Sequence, residues 1–441
     1  MSVSLLVCAM AWLASPFVAQ PESLLKKYIP RPTGANAYEE YLAAADLVRV
    51  PGLSTYEAFI SLRGRFSPTG MARNRGEEFP KLPPGLHVES TTLDARREIL
   101  RRYGRVVDLI HVGNSKPAIP FRPTFDFDSP LDEVAPYRSI GRVLDSAAHV
   151  AFVDGNSNRA TEVLLDSVFF SRAIGGDTLI HYLVGTANCV VALARFEQNL
   201  TRLSERDTDR IIDAVEDSLK RTDPLIMAME GEKKGLMASA KQLTDPATYD
   251  LERDFGSELE RRQHESFLAF VKTMSPAERE VAQGKIIERG SAAADRVIKV
   301  LKGPESQWCS IEDSPEAAAV VEVKTLDQFI ASASEHLQPV HKQVIFASVR
   351  MRTQLRLLRL HAKILRFKME FERLPDNLAE CCAAADLDDP LSGKPFQYEV
   401  KDPSQYRLYS MGVPGIGEIE LRYRRQSEPD PNLPPQSFGY R

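Results

Sequence analysis

The chain has 441 residues, 43% of them hydrophobic and 27% charged, enough length and apolar content for two or three domains with sizeable cores. Its 56 basic against 61 acidic side chains leave a net charge of -5, so no global positive field is present to draw in nucleic acid or anionic lipid. The five cysteines, Cys8, Cys189, Cys309, Cys381 and Cys382, show neither C-x-x-C pairing nor metal-ligand spacing, which argues against a disulfide scaffold or zinc module. Cys189 reads as a small core hydrophobe, and adjacent Cys381 and Cys382 as two free thiols, because a bridge between neighbours strains disulfide geometry.

Val3 to Ala19 carries no charge and has the length of a signal-peptide core or short membrane anchor. Residues 1–21 are therefore expected to direct export or anchoring in a bacterial cell envelope, with a buried apolar segment as the alternative. A helical segment over 36–113 follows. Asn36 is placed to cap its first helix, Glu39 to reach back, and Tyr38, Tyr41, Leu42, Ala45 and Val48 recur at helical spacing. Pro51 and Gly52 stop that helix, "FPKLPPG" (79–85) separates it from the next, and a second helix is predicted from Leu93 to Val112. Prolines 117, 120, 123, 130 and 136 make 114–136 an extended linker.

Residues 137–302 form the clearest helical domain. Ile140, Leu144, Ala147 and Ala151 make one face, and Asp154-Gly155-Asn156 turns the chain. Ala160, Leu164 and Val168 resume the spacing, and Gly175-Gly176-Asp177 breaks it again. Leu179 to Leu200 is apolar around most of its circumference, and Ser204 with Asp207 has the form of a capping box. Further helices are predicted at 223–243, 251–274 and 276–301, with solvated charged faces. The 147–167 stretch resembles one tetratricopeptide repeat, so an α-hairpin array and an irregular helical bundle are both compatible with this block. Residues 303–338 read as a connecting segment.

From Pro339 to Phe371 one apolar stripe (Val340, Val344, Ala347, Met351, Leu355, Leu358, Ala362, Leu365, Met369) predicts a helix of about 50 Å. Arginines 350, 352, 356, 359 and 366, with Lys363 and Lys368, cover much of the remainder and read as a solvated face. "DDPLSGKP" then marks a turn in which Gly393 can take positive φ, and three short strands alternate around Phe396-Tyr398-Val400, Tyr406-Leu408 and Ile419-Leu421-Tyr423. Such a sheet needs backing, and Leu365, Met369 and Phe371 are the expected cover. The fold class is thus mainly α: a bundle or hairpin array, then a long helix packed on a small antiparallel sheet (339–425), with a tail over 426–441.

"RLPDNLAE", "DDPLSGKPFQYEV" and "YRLYSMG" together resemble the C-terminal half of the major pseudopilin of bacterial type II secretion, over about 339–412. The resemblance implies a long helix, a Pro-bounded loop, an Asp-Pro turn and a small sheet. The family's helix begins at a processed N-terminus, whereas here it lies deep in the chain. Where the family has a calcium loop, "MGVPGIGE" offers only Glu418. Asp386, Asp388 and Asp389 read as capping and turn residues.

No phosphate loop, dinucleotide fingerprint or nucleophile elbow is present. "HESFL" at His264 opens like a zinc-protease helix, but Leu268 stands where the second histidine belongs, and His336 and His341 do not share a helical face. Glu230 and Glu232 diverge by about 200° on a helix. No catalytic, cofactor-binding or metal-ligating residue is assigned from the sequence. The expectation is a non-enzymatic, exported or membrane-anchored protein that binds another protein. A hydrolase using Glu230, His149 or His181, and an accessory part of a secretion or pilus-like apparatus, are the alternatives.

Overall fold

A computed structural model of the chain describes residues 23–49, 92–120, 131–249, 258–311, 323–336, 341–414 and 416–423. The apolar segment at 1–21, the Pro51-Gly52 stop, "FPKLPPG", Pro123, Pro130, the helix start at 251–257, the tail at 426–441 and the side chains of His264, His336 and His341 lie outside the described residues.

The described helices are α1 (Leu24–Tyr28), α2 (Ala37–Val48), α3 (Leu93–Asn114), α4 (Val134–Val153), α5 (Ser157–Ile174), α6 (Leu179–Asn199), α7 (Glu205–Lys220), α8 (Pro224–Thr244), α9 (Pro246–Tyr249), α10 (Glu258–Thr273), α11 (Pro276–Leu301), α12 (Leu326–His336), α13 (His341–Phe371) and α14 (Ala384–Leu387). Local chemistry starts most of the long ones. Asn36, Thr92, Asn156, Thr178 and Asp223 each accept a backbone N–H of the first turn, and Ser204/Asp207 and Ser275/Glu278 form reciprocal capping boxes. Glu39 does not close the box expected with Asn36. It reaches further back, accepting the N–H groups of Thr33 (2.9 Å) and Gly34 (2.6 Å). Gly155, at φ 78°, takes the left-handed conformation that turns α4 into α5.

The helices form a bundle in which α4, α5 and α6 each touch the other two, α3 flanks α4 and α5, and α13 lies along α6 and α7. One hydrophobic core runs from Leu24 and Tyr41 through Ile110, Phe170 and Phe196 to Leu358 on α13 and Leu408 in the sheet. Leu131 and Val134, from the stretch read as a linker, are part of it. A second core combines Ala240 of α8, Val271 of α10, Ile286 of α11 and Phe329 of α12. Helices α8 and α11 contribute to both, each feeding one end into the main core and the other into the second. The 303–338 stretch therefore holds core elements: α12 supplies Phe329, and a 3₁₀ turn at Glu305–Ser310 seats buried Trp308.

The sheet has the order β3-β4-β5, with β3 (Gln397–Asp402) antiparallel to β4 (Gln405–Ser410) in the register Tyr398↔Leu408, and Ser410 opposite Ile419 of β5 (Ile419–Glu420). A two-residue ladder, β1 (Asp388–Asp389) with β2 (Lys394–Pro395), encloses the Asp389-Pro390 turn, and Gly393 there has φ 64°. Three expectations for this region change. Val400 is exposed on edge strand β3 rather than turned inward. Leu365 is buried in the main core, but Met369 and Phe371 are exposed, and the bonded anchor lies further up the helix. There His361 bonds the Leu421 carbonyl through Nε2 (2.8 Å) and the Tyr406 hydroxyl through Nδ1 (2.9 Å). Burial pulls the His361 pKa down to about 4.

The third change concerns α13 itself, which is buried on most sides rather than along one stripe: Ile345, Val349, Leu357, Leu360 and Ile364 are all in the core. Arg350 is exposed as expected, but most of the other basic residues are not a solvated face. Arg352 is 6% exposed and donates to Asp223 (2.9 Å) and Glu305 (2.9 Å), Arg356 donates to Glu305 (2.7 Å), Arg359 and Lys363 share Asp386, and Arg366 pairs with Glu205 and Asp209. Acids from α7, α14, the α8 cap and the 3₁₀ turn thus fasten the rest of the molecule to this helix.

Candidate functional site

Two polar centres lie at different levels of the α4–α6 pair, and each holds one of the histidines noted in the sequence. At the upper level Asp145 of α4 accepts from Arg96 of α3 (2.7 Å) and from Arg195 of α6 (2.8 Å), and Arg195 also donates to Nδ1 of His149 (2.9 Å). All four residues are buried. Burial pushes the Asp145 carboxyl up, but the guanidiniums of Arg195 and Arg96 outweigh it and bring the pKa down to about 2. One carboxylate between two guanidiniums, with the Arg195 N–H groups shared among Asp145, His149 and Gln198, is an arrangement bonded mainly from within.

At the lower level the balance is reversed. His181, in the first turn of α6, has Nε2 2.8 Å from Oε1 of Glu133, which precedes α4, and Nδ1 2.9 Å from the Thr178 hydroxyl and 3.9 Å from Asp177. Glu133 is 0% and His181 1% exposed. Glu232 of α8 completes the group, accepting the Leu179 N–H at 2.9 Å. Its carboxyl is pushed above the usual range by burial and by neighbouring Asp177, against the pull of the Leu179 N–H and of His181. Helix α8 can come this close because residue 231 is glycine: a Cβ there would stand 2.2 Å from the Asp177 carbonyl oxygen. Glu133, Asp177 and His181 each present one ligand-type atom, and these atoms lie within 4.8 Å of one another.

The sequence candidates thus separate. Glu232 faces this centre, whereas Glu230, two residues away, is exposed and pairs with Lys302 (3.2 Å). His149 belongs to the upper centre, where Arg195 donates to it. Asp389 is a turn residue, taking the N–H groups of Leu391 and Ser392 and the hydroxyl of Ser410, and Asp386 answers α13. Glu418 pairs with Arg407. Cys189 is buried, its thiol pushed up to about 12, and Cys381 and Cys382 are free with their sulfurs 3.5 Å apart. Two residues of the lower centre escaped sequence reading. Asp177 stands four before His181, the spacing of one helical face, but its place in the Gly-Gly-Asp break masks that; Glu133 meets His181 across 48 residues and leaves no local trace.

Two surface clefts are open elsewhere. One of about 370 Å³ is lined by Arg221, Asp223, Glu305, Trp308 and Arg352, and one of about 550 Å³ by Lys401, Arg407, Arg422 and Tyr423 beside the sheet. Neither is lined by His149, His181 or Glu230. Among the described residues one helical stretch, Leu179–Arg202, is long and apolar enough to cross a membrane, and most of it is buried inside the bundle. Comparisons of the chain with models of known protein families, with curated proteins and with solved structures give no match.

Proposed function

We propose that this chain is a non-enzymatic helical scaffold that binds another protein, exported or anchored at a bacterial envelope through residues 1–21. The observation that carries this reading is the pair of cores strung on α8 and α11. Two helices run from one core into the other, so the second core adds surface beside the first. The outboard helices also leave Met237 of α8 65% exposed and Val281 of α11 47% exposed. A partner cross-linked to the full chain in the envelope fraction, and lost in the double variant Met237→Asp with Val281→Asp, is the expected result. A chain confined to the cytosol, or a complex indifferent to those substitutions, defeats the proposal.

Two further readings each have an observation in their favour. A hydrolase is favoured by the convergence of Glu133, Asp177 and Glu232 on His181, and predicts turnover of model esters or phosphoesters that His181→Gln abolishes. Near-complete burial of the ring weighs against it. An accessory role in a secretion or pilus-like apparatus is favoured by the order of α13, the Leu374-Pro375 stop, the Asp389 turn and the β3-β4-β5 sheet. Co-purification with pseudopilin-like subunits is its test.

A further inference from the structure

We propose that Glu133, Asp177 and His181, with Glu232 beside them, bind a single divalent transition-metal ion, Zn²⁺ or Mn²⁺, that ties α4, α6 and α8 together. This goes beyond the protein-binding reading and does not depend on it. Its first ground is geometric. One oxygen from each of two carboxylates and one ring nitrogen, supplied by three separate positions in the fold, lie within 4.8 Å of one another. A cation held about 2.0–2.2 Å from each donor would space them roughly 3.4 Å apart, so a modest inward movement of side chains closes the shell.

The second ground is the donor set. An imidazole with carboxylates suits Zn²⁺ or Mn²⁺, whereas Ca²⁺ and Mg²⁺ prefer oxygen alone. Orientation is already provided, since His181 keeps a partner at each nitrogen, Glu133 at Nε2 and the Thr178 hydroxyl at Nδ1. With Nε2 turned to the ion, the Thr178 hydroxyl remains on Nδ1, the kind of outer partner metal-bound histidines keep. The third ground is charge. Three carboxylates surround one imidazole, and a dication would convert their mutual repulsion into shared attraction. The enclosure is that of a structural rather than a catalytic metal.

The test uses the full chain without a histidine tag, equilibrated with Zn²⁺ or Mn²⁺, desalted, and counted for metal by mass spectrometry. About one retained equivalent is expected, with the midpoint of thermal unfolding raised by at least about 3 °C and returned by a chelator. His181→Gln should weaken binding by more than about 100-fold, and Glu232→Gln by about 10-fold. Wild-type protein that retains neither ion and shows no thermal shift overturns the proposal. So does retention equal in both variants, which places the ion elsewhere. Should His181→Gln fail to fold, Glu232→Gln decides alone, and unchanged affinity there counts against the site.

Discussion

The upper and lower centres both join α4 or its approach to α6, the upper adding Arg96 of α3 and the lower Glu232 of α8, yet their charge balances are opposite. Around Asp145 two guanidiniums meet one carboxylate, and the carboxylate is held ionised with its pKa near 2. Around His181 three carboxylates meet one imidazole, and Glu232 is held toward its neutral form. Burial magnifies each imbalance, because the interior screens charge far less than water does. The difference teaches that a buried charged group in this bundle is not by itself a sign of chemistry. What distinguishes a lock from a candidate site is whether the surrounding side chains complete it.

The sharpest way to break this comparison is at Asp145. Asp145→Ala leaves Arg96 and Arg195 buried without their counter-charge, and a loss of about 3–5 kcal/mol in denaturant unfolding is expected. A loss below about 1 kcal/mol would mean the centre is not a lock. Because the folded-state pKa lies below the unfolded one, the Asp145 contribution is complete above about pH 4 and disappears as pH falls through about 2.

Next in size is the anchor between α13 and the sheet. His361 is held near 4 against an ordinary 6.5, so the folded state favours the neutral ring. Its contribution is present above pH 6.5 and is lost as pH falls through about 4, to a total of roughly 3 kcal/mol. The ring resonance followed by NMR should titrate near 4, and a midpoint near 6.5 would remove the anchor. Glu305, whose pKa is lowered to about 2 as the guanidiniums of Arg356 and Arg352 overcome its burial, is smaller again. Glu305→Gln keeps the shape but loses the charge, and about 1.5–3 kcal/mol of stability should go with it.

The lower centre sharpens the comparison by sign rather than size. With its folded pKa raised, Glu232 favours folding at low pH and opposes it once pH rises past the folded value. In the absence of metal, Glu232→Gln should therefore be neutral or stabilising at pH 7, with the advantage fading as pH falls below the usual glutamate range. Stability curves across that range check it, and a clear loss at pH 7 would show that the carboxylate is already balanced. The smallest effect is expected at the surface pair Lys233–Asp295, 2.7 Å apart but 37% and 57% exposed, where Asp295→Asn should shift stability by no more than about 0.5 kcal/mol.

Much of the architecture could be read from the residues. Helix α11 runs from Pro276 to Leu301 as its pattern predicts, and the capping box at Ser204 and Asp207 and the positive φ of Gly393 follow from local chemistry. These features depend on residues a few positions apart. The stripe on α13 misleads for the opposite reason. Alternation of arginine with leucine looks like one wet and one dry face, but Asp223, Glu305, Glu216 and Asp386, brought from distant segments, neutralise the arginines and let the wet face pack. The sheet moved along that helix because the choice of His361 over Met369 and Phe371 was made by one carbonyl, that of Leu421.

By itself, then, the order of amino acids determined where helices begin and turn, and that a small antiparallel sheet closes the chain. Capping, periodicity and turn conformation are short-range interactions, each complete within one or two turns of backbone. Only the tertiary structure decided which charges are spent on one another and which are gathered without a complement. Glu133 and His181 are 48 residues apart and Arg352 and Asp223 are 129 apart, and pairing over such distances is set by how the helices pack, which no local pattern encodes.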